Sequence, residues 1–302
     1  MTRQLPEKGE IFLDHVGWYL PDLDEVVRVF GRLGFPVTPY SMHGDRDPAT
    51  GQVVPMGSAN RLVILERGYL EFLSDVEGID SVVSRHLKEC MARHSGLHLT
   101  AMTVQDAEGE AARLSGLGIP LQPVVNLRRK AEAEDGLEKD VGFTVVRPEF
   151  DYYPEGRIQT LSHLTPEMVW QARYIGQQNA IQGLTRMIFS VSDPEASAGR
   201  LANFTGRPVA KTEGGVAITL DRGSLGFYRP EDIFRQFGFH PAPAPPAAGG
   251  MGMSSGDLGR TRKFLLGQGL GLMGDDGGRL IVAPEDALGA VLIIEEPAGR
   301  RV

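Results

Sequence analysis

A histidine and a glutamate on two strand-like segments are the residues of this chain best suited to chemistry. His15 lies in the apolar run Phe12–Asp22, and Glu71 lies in the run Tyr69–Leu73. Neither side chain suits a buried strand without a partner, because an unpaired buried charge is expensive. A divalent metal ion would satisfy both, since imidazole and carboxylate are ordinary ligands of first-row metals. The alternative is a histidine satisfied within the core and a carboxylate at a strand edge.

The elements that must position these two residues repeat along the chain. The order of apolar strand, aspartate, helix and glycine-containing break occurs three times, and a fourth, weaker copy follows the proline-rich linker 241–246. Such self-similarity indicates repeated supersecondary units. The sequence therefore predicts an α+β fold of four βαβββ modules, paired into two domains of curved mixed sheets with the helices outside. The aspartates expected to act as helix N-caps are Asp22, Asp106, Asp193 and Asp257.

Composition and charge restrict the partners. The chain of 302 residues has 31 Lys and Arg against 39 Asp and Glu, whereas nucleic-acid binders concentrate basic residues on one face. No segment approaches the roughly 18 apolar residues of a membrane span, and the start resembles no signal peptide. The single cysteine, Cys90, excludes an internal disulfide, fits a reducing compartment and lies in a helical run where packing is the expected role. We therefore expect a cytoplasmic protein with no nucleic-acid or membrane partner.

The repeated modules and several short motifs resemble the vicinal-oxygen-chelate superfamily, the group of glyoxalases, extradiol dioxygenases and fosfomycin-resistance proteins. The similarity to its glyoxalase-like domain proteins rests on residues 14–16, His43, the turn 57–62 and the strand 69–73, and it extends loosely to about Leu184. Beyond that point only the repeat architecture is similar. The resemblance implies a pocket for a small molecule in a first domain, residues 1–182, and a degenerate second domain, residues 183–302.

The resemblance also implies a metal site. In such proteins a histidine from the first strand of a module and a glutamate from its last strand hold a divalent ion of Fe, Mn, Zn, Ni or Co, and these positions correspond to His15 and Glu71. His163 is the better candidate for a third ligand, the alternative being a structural role at the turn that follows it. His98 would be a ligand only if a bulge shifted the strand register, because neighbouring residues face opposite sides of a sheet.

Other polar residues are candidates for substrate binding. Gln159 stands where the second module would carry its glutamate, and an amide can hydrogen-bond a substrate. Asn60, in the turn into the third strand, belongs to the same candidate set. His43 lies in a polar, glycine-rich segment interpreted as a loop at the pocket mouth, with a solvated loop histidine as the alternative.

The second half has lost the corresponding residues. Arg186 occupies the position that matches His15, and Gly226 occupies the position that matches Glu71. A metal site is therefore not expected there. Glu295 and Glu296 close the last strand and are interpreted as a solvated strand end.

Two functions follow from these observations. The first is a divalent-metal-dependent enzyme of the lyase, isomerase or dioxygenase type, in which the metal acts as a Lewis acid on a small vicinal-oxygen substrate. The second is a non-catalytic protein of the same fold that binds and sequesters a small molecule. The expected partner is a small-molecule ligand in both cases, and a homodimer is compatible with either.

Overall fold

The computed structural model describes residues 3–47, 49–241, 243–275 and 278–297. Within these ranges a strand, a helix and three further strands follow one another four times, so the predicted βαβββ modules are confirmed. The first module consists of β1 (Phe12–Tyr19), α1 (Asp24–Arg32), β2 (Ser41–Arg46), β3 (Val53–Ile64) and β4 (Tyr69–Asp75), and α2 (Val82–Arg93) follows it. The second consists of β5 (Gly96–Thr103), α3 (Ala107–Gly116), β6 (Val125–Glu132), β7 (Glu138–Val146) and β8 (Arg157–His163).

The other two modules form the second half of the chain. The third consists of β9 (Ile181–Ser190), α4 (Pro194–Thr205), β10 (Val209–Thr212), β11 (Gly215–Thr219) and β12 (Ser224–Tyr228), and α5 (Pro230–Phe237) follows it. The fourth consists of β13 (Ala247–Ser255), α6 (Leu258–Gly267), β14 (Leu272–Asp275), β15 (Arg279–Val282) and β16 (Leu292–Glu295). Short 3-10 turns lie at Pro166–Met168, Ala172–Tyr174 and Pro284–Asp286.

The two halves use one pairing scheme but differ in closure. In the first half β1 pairs with β4 in parallel and with β5 antiparallel, and the eight strands close into a barrel in the order β1-β4-β3-β2-β6-β7-β8-β5. In the second half β9 pairs with β12 and β13 in the same way. The order there is β10-β11-β12-β9-β13-β16-β15-β14, so β10 and β14 are sheet edges. Only the first half therefore encloses a barrel interior.

The helices begin largely as predicted. Asp22 is the exception, because its carboxylate accepts a hydrogen bond from the Asp24 N–H at 2.8 Å while Leu23 takes the N-cap position of α1. None of the described helices has both the length and the apolar character to cross a membrane. Three aspartates accept a hydrogen bond from the backbone N–H three residues later, as an N-cap does: Asp106, Asp193 and Asp257.

The barrel and the second sheet share one apolar core. The fully buried Trp18 of β1 donates its indole N–H to the carbonyl of Ala287 at 3.2 Å, and the backbone N–H of Leu13 donates to the carbonyl of Arg222 at 2.7 Å. The predicted domain boundary, between residues 182 and 183, falls just inside β9. The division into domains stays a prediction.

Gly68 in the β3–β4 turn lets two backbone segments approach beside the candidate site. Its φ is +76°, and a Cβ atom at this position would lie 2.6 Å from the carbonyl oxygen of Asp14. We expect Gly68→Ala to lower the free energy of unfolding by roughly 1–3 kcal/mol, because the backbone must shift as well as adopt an unfavourable φ. The midpoint of urea denaturation measures this loss. Gly118 is the matched control, since it has the same φ of +76° with nothing within 4 Å of the added Cβ. An equal loss in both variants would show that the close approach to Asp14 costs nothing.

Candidate functional site

The barrel encloses a cavity of about 50 Å³ that contains most of the predicted site residues. Because side chains alternate along a strand, every second residue of the central strands faces inward. His15 and Tyr19 of β1, Glu71 of β4 and Gln159 of β8 reach the cavity in this way. The rest of the wall is mostly apolar: Leu62, Tyr69, Leu73, Leu99, Leu127, Phe143, Val145 and Leu161.

Side chains from outside the barrel sheet pack against cavity-lining residues at each end. At one end α2 places Leu87 and Cys90 against Tyr19. Cys90 is buried in this contact, as the packing interpretation predicts. At the other end the segment 166–175 packs Met168 and its neighbours against the strand residues near Tyr69. Polar interactions inside the barrel are therefore shielded from bulk water, which strengthens them.

Glu71 is the centre of the polar cluster in the cavity. Its Oε2 lies 3.4 Å from Nε2 of His15, and its Oε1 lies 3.8 Å from Nε2 of His43. The side-chain amide of Asn60 donates a hydrogen bond to Oε1 at 2.7 Å. All four side chains are buried. Two imidazole nitrogens and one carboxylate thus face each other within the barrel.

Asp14 holds two histidines in place from behind the cavity wall. Its carboxylate is fully buried and bonds Nδ1 of His15 at 2.8 Å and Nε2 of His163 at 2.9 Å. The contact fixes the ring of His15 so that Nε2 faces Glu71. That nitrogen is buried and has no hydrogen-bond partner among the described residues. A carboxylate behind a histidine is a recurring way to orient a metal ligand and to raise its basicity.

Burial and charge interactions shift the pKa values of His15, Glu71 and His43 in different directions. Burial alone would lower the pKa of His15, but the contacts with Asp14 and Glu71 outweigh it and raise the pKa to about 9. Burial would likewise raise the pKa of Glu71, yet the imidazoles of His15 and His43 and the Asn60 amide lower it to about 2. For His43 burial dominates and lowers the pKa to about 4. The cluster without a metal therefore pairs a cationic His15 with an anionic Glu71, while His43 is neutral.

The loop interpretation of His43 is wrong. His43 lies on β2, is 5% exposed and bonds the hydroxyl of Ser58 through Nδ1 at 3.0 Å. The segment Ser41–Arg46 lacks an apolar pattern, and it becomes a strand because the barrel places it between β3 and β6. Its proposed part in substrate binding stays a prediction.

His163 and His98 lie on different sides of the sheet. His163 is on the same face of β8 as Gln159, but its Nε2 is engaged with Asp14 and its ring packs against Trp170 at 4.8 Å. Its role as a metal ligand stays a prediction. Leu99 lines the cavity and His98 does not. His98 lies at a bulge of the β1–β5 ladder, where Gly17 pairs with Leu99 and Trp18 with Leu97, and its ring stacks on Tyr19 with centroids 4.9 Å apart.

Several cavity residues carry no distinct signal in the sequence. Asp14 precedes His15 in a motif, but nothing in the residue order shows that it also reaches His163, 149 positions away. Arg157 could have been found, because it lies two residues before Gln159 on the same strand face. Arg129 lies on β6 and Arg147 directly follows β7, and only barrel closure brings them to the cavity.

Two donor pairs of the cluster lie within the distance limit for a shared divalent ion. Two donors bound to one ion at about 2.1 Å each can lie at most about 4.2 Å apart. The separations of 3.4 and 3.8 Å from Glu71 to His15 and His43 satisfy this limit. In the part of the chain that the structure describes, no three His, Cys, Asp or Glu side chains already stand in a metal-binding arrangement. Small side-chain shifts would therefore accompany binding.

The second sheet uses the matching positions differently. Arg186, which matches His15, forms an ion pair with Glu295, so the interpretation of Glu295 as a solvated strand end is wrong, while Glu296 is exposed. The guanidinium of Arg186 lies 6.0 Å from the ring centroid of Phe237, which belongs to α5. With Ile233 this residue packs on the inner face of the sheet in an apolar cluster. In the second half, helix α5 thus occupies the place that corresponds to the cavity of the barrel in the first half.

Comparison with known proteins gives the family to which this architecture belongs. The family model described as the glyoxalase-like domain matches residues 13–205, which include the whole barrel from β1 onward apart from its first residue. The chain belongs to the glyoxalase-like domain family. No curated protein matches the sequence.

Solved structures resemble this glyoxalase-like protein over nearly its full length. A hypothetical protein from Staphylococcus aureus has a TM-score of 0.65 at 9% identity, with 95% of this chain and 100% of that chain covered. A mutant of 4-hydroxymandelate synthase from Streptomyces coelicolor has a TM-score of 0.56 at 12% identity, with coverages of 96% and 94%. A xylose isomerase-like TIM barrel/4-hydroxyphenylpyruvate dioxygenase fusion protein has a TM-score of 0.58 at 10% identity, with coverages of 100% and 52%. At these identities the likeness shows the fold alone.

Proposed function

We propose that the barrel is the active site of a divalent-metal-dependent enzyme acting on a small vicinal-oxygen substrate. His15 and Glu71 would hold the metal, and His43 is the third ligand best placed to join them. The observation that carries the proposal is the buried Glu71 carboxylate between two imidazole Nε2 atoms, 3.4 and 3.8 Å away. Two histidines and one carboxylate suit Fe, Mn, Co, Ni or Zn and leave positions free for a substrate.

Each side chain around the cluster has a defined task in this proposal. An ion bound there would supply Lewis acidity toward two neighbouring oxygens of the substrate. Asp14 orients His15, and Asn60 holds the carboxylate of Glu71 by a 2.7 Å hydrogen bond. Gln159 would hydrogen-bond the substrate from β8, which only β5 separates from β1. The apolar wall excludes water and so strengthens every polar contact made inside it.

Two observations bear on the reaction type. Structural neighbours named for 4-hydroxyphenylpyruvate dioxygenase and 4-hydroxymandelate synthase share this fold. Two histidines with one carboxylate are also the ligand set of many non-haem iron oxygenases. Both points favour the dioxygenase type over the lyase or isomerase type as the first activity to assay.

Metal content is the direct test of the proposal. Protein purified without chelator and dialysed against Fe, Mn, Zn, Ni or Co should retain about one ion per chain in elemental analysis. Absence of a retained ion in every case would refute the metal-dependent function.

Histidine variants separate the candidate ligands. We expect His43→Ala to lose retained metal, because it removes an Nε2 donor that faces Glu71. His163→Ala should weaken metal binding roughly 10- to 100-fold, as perturbing a residue behind the ligands typically does. His98→Ala is the control and should change thermal stability but not metal content. Full metal loss in His163→Ala with none in His43→Ala would restore His163 as the third ligand.

A non-catalytic binding protein is the second candidate function. It is favoured by the neutral Gln159 at the position of the second module's glutamate and by the absence, among the described residues, of a formed three-ligand group. This function predicts that a small molecule stabilises the protein without any retained metal. Metal-dependent turnover would exclude it.

A further inference from the structure

Three arginine side chains converge on the barrel cavity. Arg129 of β6, Arg147 after β7 and Arg157 of β8 all line it together with the apolar residues. Arg147 is 3% exposed and Arg129 is 9% exposed. Guanidinium groups are almost never buried without anionic partners, because they stay charged and their desolvation is costly.

These guanidinium groups lack such partners in the described part of the chain. No carboxylate there lies within 4.0 Å of any of the three, and Glu71, the only acidic residue that lines the cavity, is engaged with His15 and Asn60. The Nε atoms of Arg147 and Arg157 are buried without a hydrogen-bond partner. Burial and the nearby Arg157 charge lower the pKa of Arg147 to about 9, which still leaves it protonated at neutral pH. Among the described residues, the three guanidinium groups thus outnumber the one carboxylate that lines the cavity.

The strand register places this charge close to the candidate metal ligands. Gly17 of β1 pairs with both Glu71 and Leu99, and Leu99 in turn pairs with Arg157. Arg157 and Glu71 therefore lie in one row of paired residues across four neighbouring strands of the barrel. His15 is two residues along β1, a rise of roughly 7 Å. One small molecule can span that distance.

We propose that the substrate carries an anionic group, a carboxylate or a phosphate, which Arg147 and Arg157 bind. The two neighbouring oxygens of the substrate then face His15 and Glu71. Two guanidinium groups can hold such a group by forked, charge-assisted hydrogen bonds. The hydroxyl of Tyr19, buried beside Arg157, adds a donor on the same wall. The placement of the substrate oxygens rests on the proposed function, but anion binding by the arginines does not.

Calorimetric titration of the metal-stripped, full-length protein tests this site, with the chelator removed by gel filtration. The probes are phenylglyoxylate, its uncharged methyl ester and inorganic phosphate. We expect phenylglyoxylate to bind at least about 10-fold more tightly than the ester, because the ester cannot form the charged hydrogen bonds. Displacement of phenylglyoxylate by phosphate would identify a general anion site, and binding without displacement would identify a carboxylate site. Equal affinity for acid and ester, or no binding of either anion, would overturn the proposal.

Variants assign the affinity to the arginines. Arg147→Met and Arg157→Met should each weaken anion binding at least about 10-fold. Arg147→Lys should lose less anion affinity, because lysine keeps the positive charge although it cannot form the forked pair of hydrogen bonds. Arg61→Met is the control, since Arg61 of β3 pairs with Asp24 outside the cavity and its loss should leave affinity unchanged. Wild-type affinity in Arg147→Met and Arg157→Met would refute the site.

Two further measurements on the same samples separate the possible failures. The melting temperature of Arg147→Met should equal or exceed that of the wild type, because a buried, unpaired charge has been removed. Its metal content should also match the wild type. Arginine-dependent anion binding in a protein that retains no metal would refute the proposed enzyme alone, and metal retention without anion binding would refute the anion site alone.

Discussion

Glu71→Ala is expected to abolish stoichiometric metal binding, with affinity falling by more than about 100-fold. Glu71 is the only carboxylate that lines the barrel cavity in the described part of the chain, and it faces both candidate imidazole ligands. Its removal leaves a site of neutral donors, which competes poorly with water for a divalent ion. This loss should exceed that caused by residues behind the ligands, for which about 10- to 100-fold is typical.

Elemental analysis and competitive metal titration of purified protein measure this effect. Glu295→Ala is the matched control, because Glu295 also lies on the last strand of a module but pairs with Arg186 in the second sheet. We expect its metal content to equal that of the wild type. Unchanged metal in Glu71→Ala would rule out the barrel as the metal site.

Asp14→Ala should be the most destabilising substitution in the barrel, with a loss of about 3–5 kcal/mol in the free energy of unfolding. Removal of one partner from a buried charged cluster leaves the others without compensation. Asp14 is fully buried and bonds both His15 and His163. Burial would raise its pKa, but the two histidines hold the pKa well below its usual range. The carboxylate is therefore charged and paired throughout the neutral range.

Urea denaturation at neutral pH, followed by circular dichroism, measures this loss as a lower midpoint. Asp22→Ala serves for comparison, since Asp22 follows β1 on the surface and bonds only the Asp24 N–H among the described residues. We expect Asp22→Ala to cost at most about 1 kcal/mol, because it removes one exposed hydrogen bond. Similar midpoints for the two variants would show that the contacts of Asp14 with the two histidines do not stabilise the folded protein.

The architecture was predictable because its signals are local. Each module repeats an apolar strand, an aspartate and a helix within a short stretch, and Asp106 caps its helix as that order implies. Asp22 departs from the pattern because its carboxylate bonds the second N–H after it, which leaves Leu23 at the cap. The open edges of the second sheet could not be predicted, because they depend on pairing between distant strands.

Residues of the candidate site could be predicted only where a polar residue stands within an apolar strand segment. His15 and Glu71 stand out because each is polar within an apolar run. His43 does not, since its strand has no apolar pattern and its burial comes from barrel closure. The contact between Arg186 and Glu295 joins residues 109 positions apart, so neither neighbourhood reveals it. Long-range pairing, rather than composition, decides these positions.

Helix α5 makes the second sheet behave like a receptor with a covalently tethered occupant. Its residues Ile233 and Phe237 fill the inner face of the sheet from a position only a few residues after β12. An occupant on so short a tether has a very high effective concentration, so a free solute cannot compete with it. Solutes that bind the interior of this protein should therefore act through the barrel, and a ligand-dependent rise in melting temperature would report on that half.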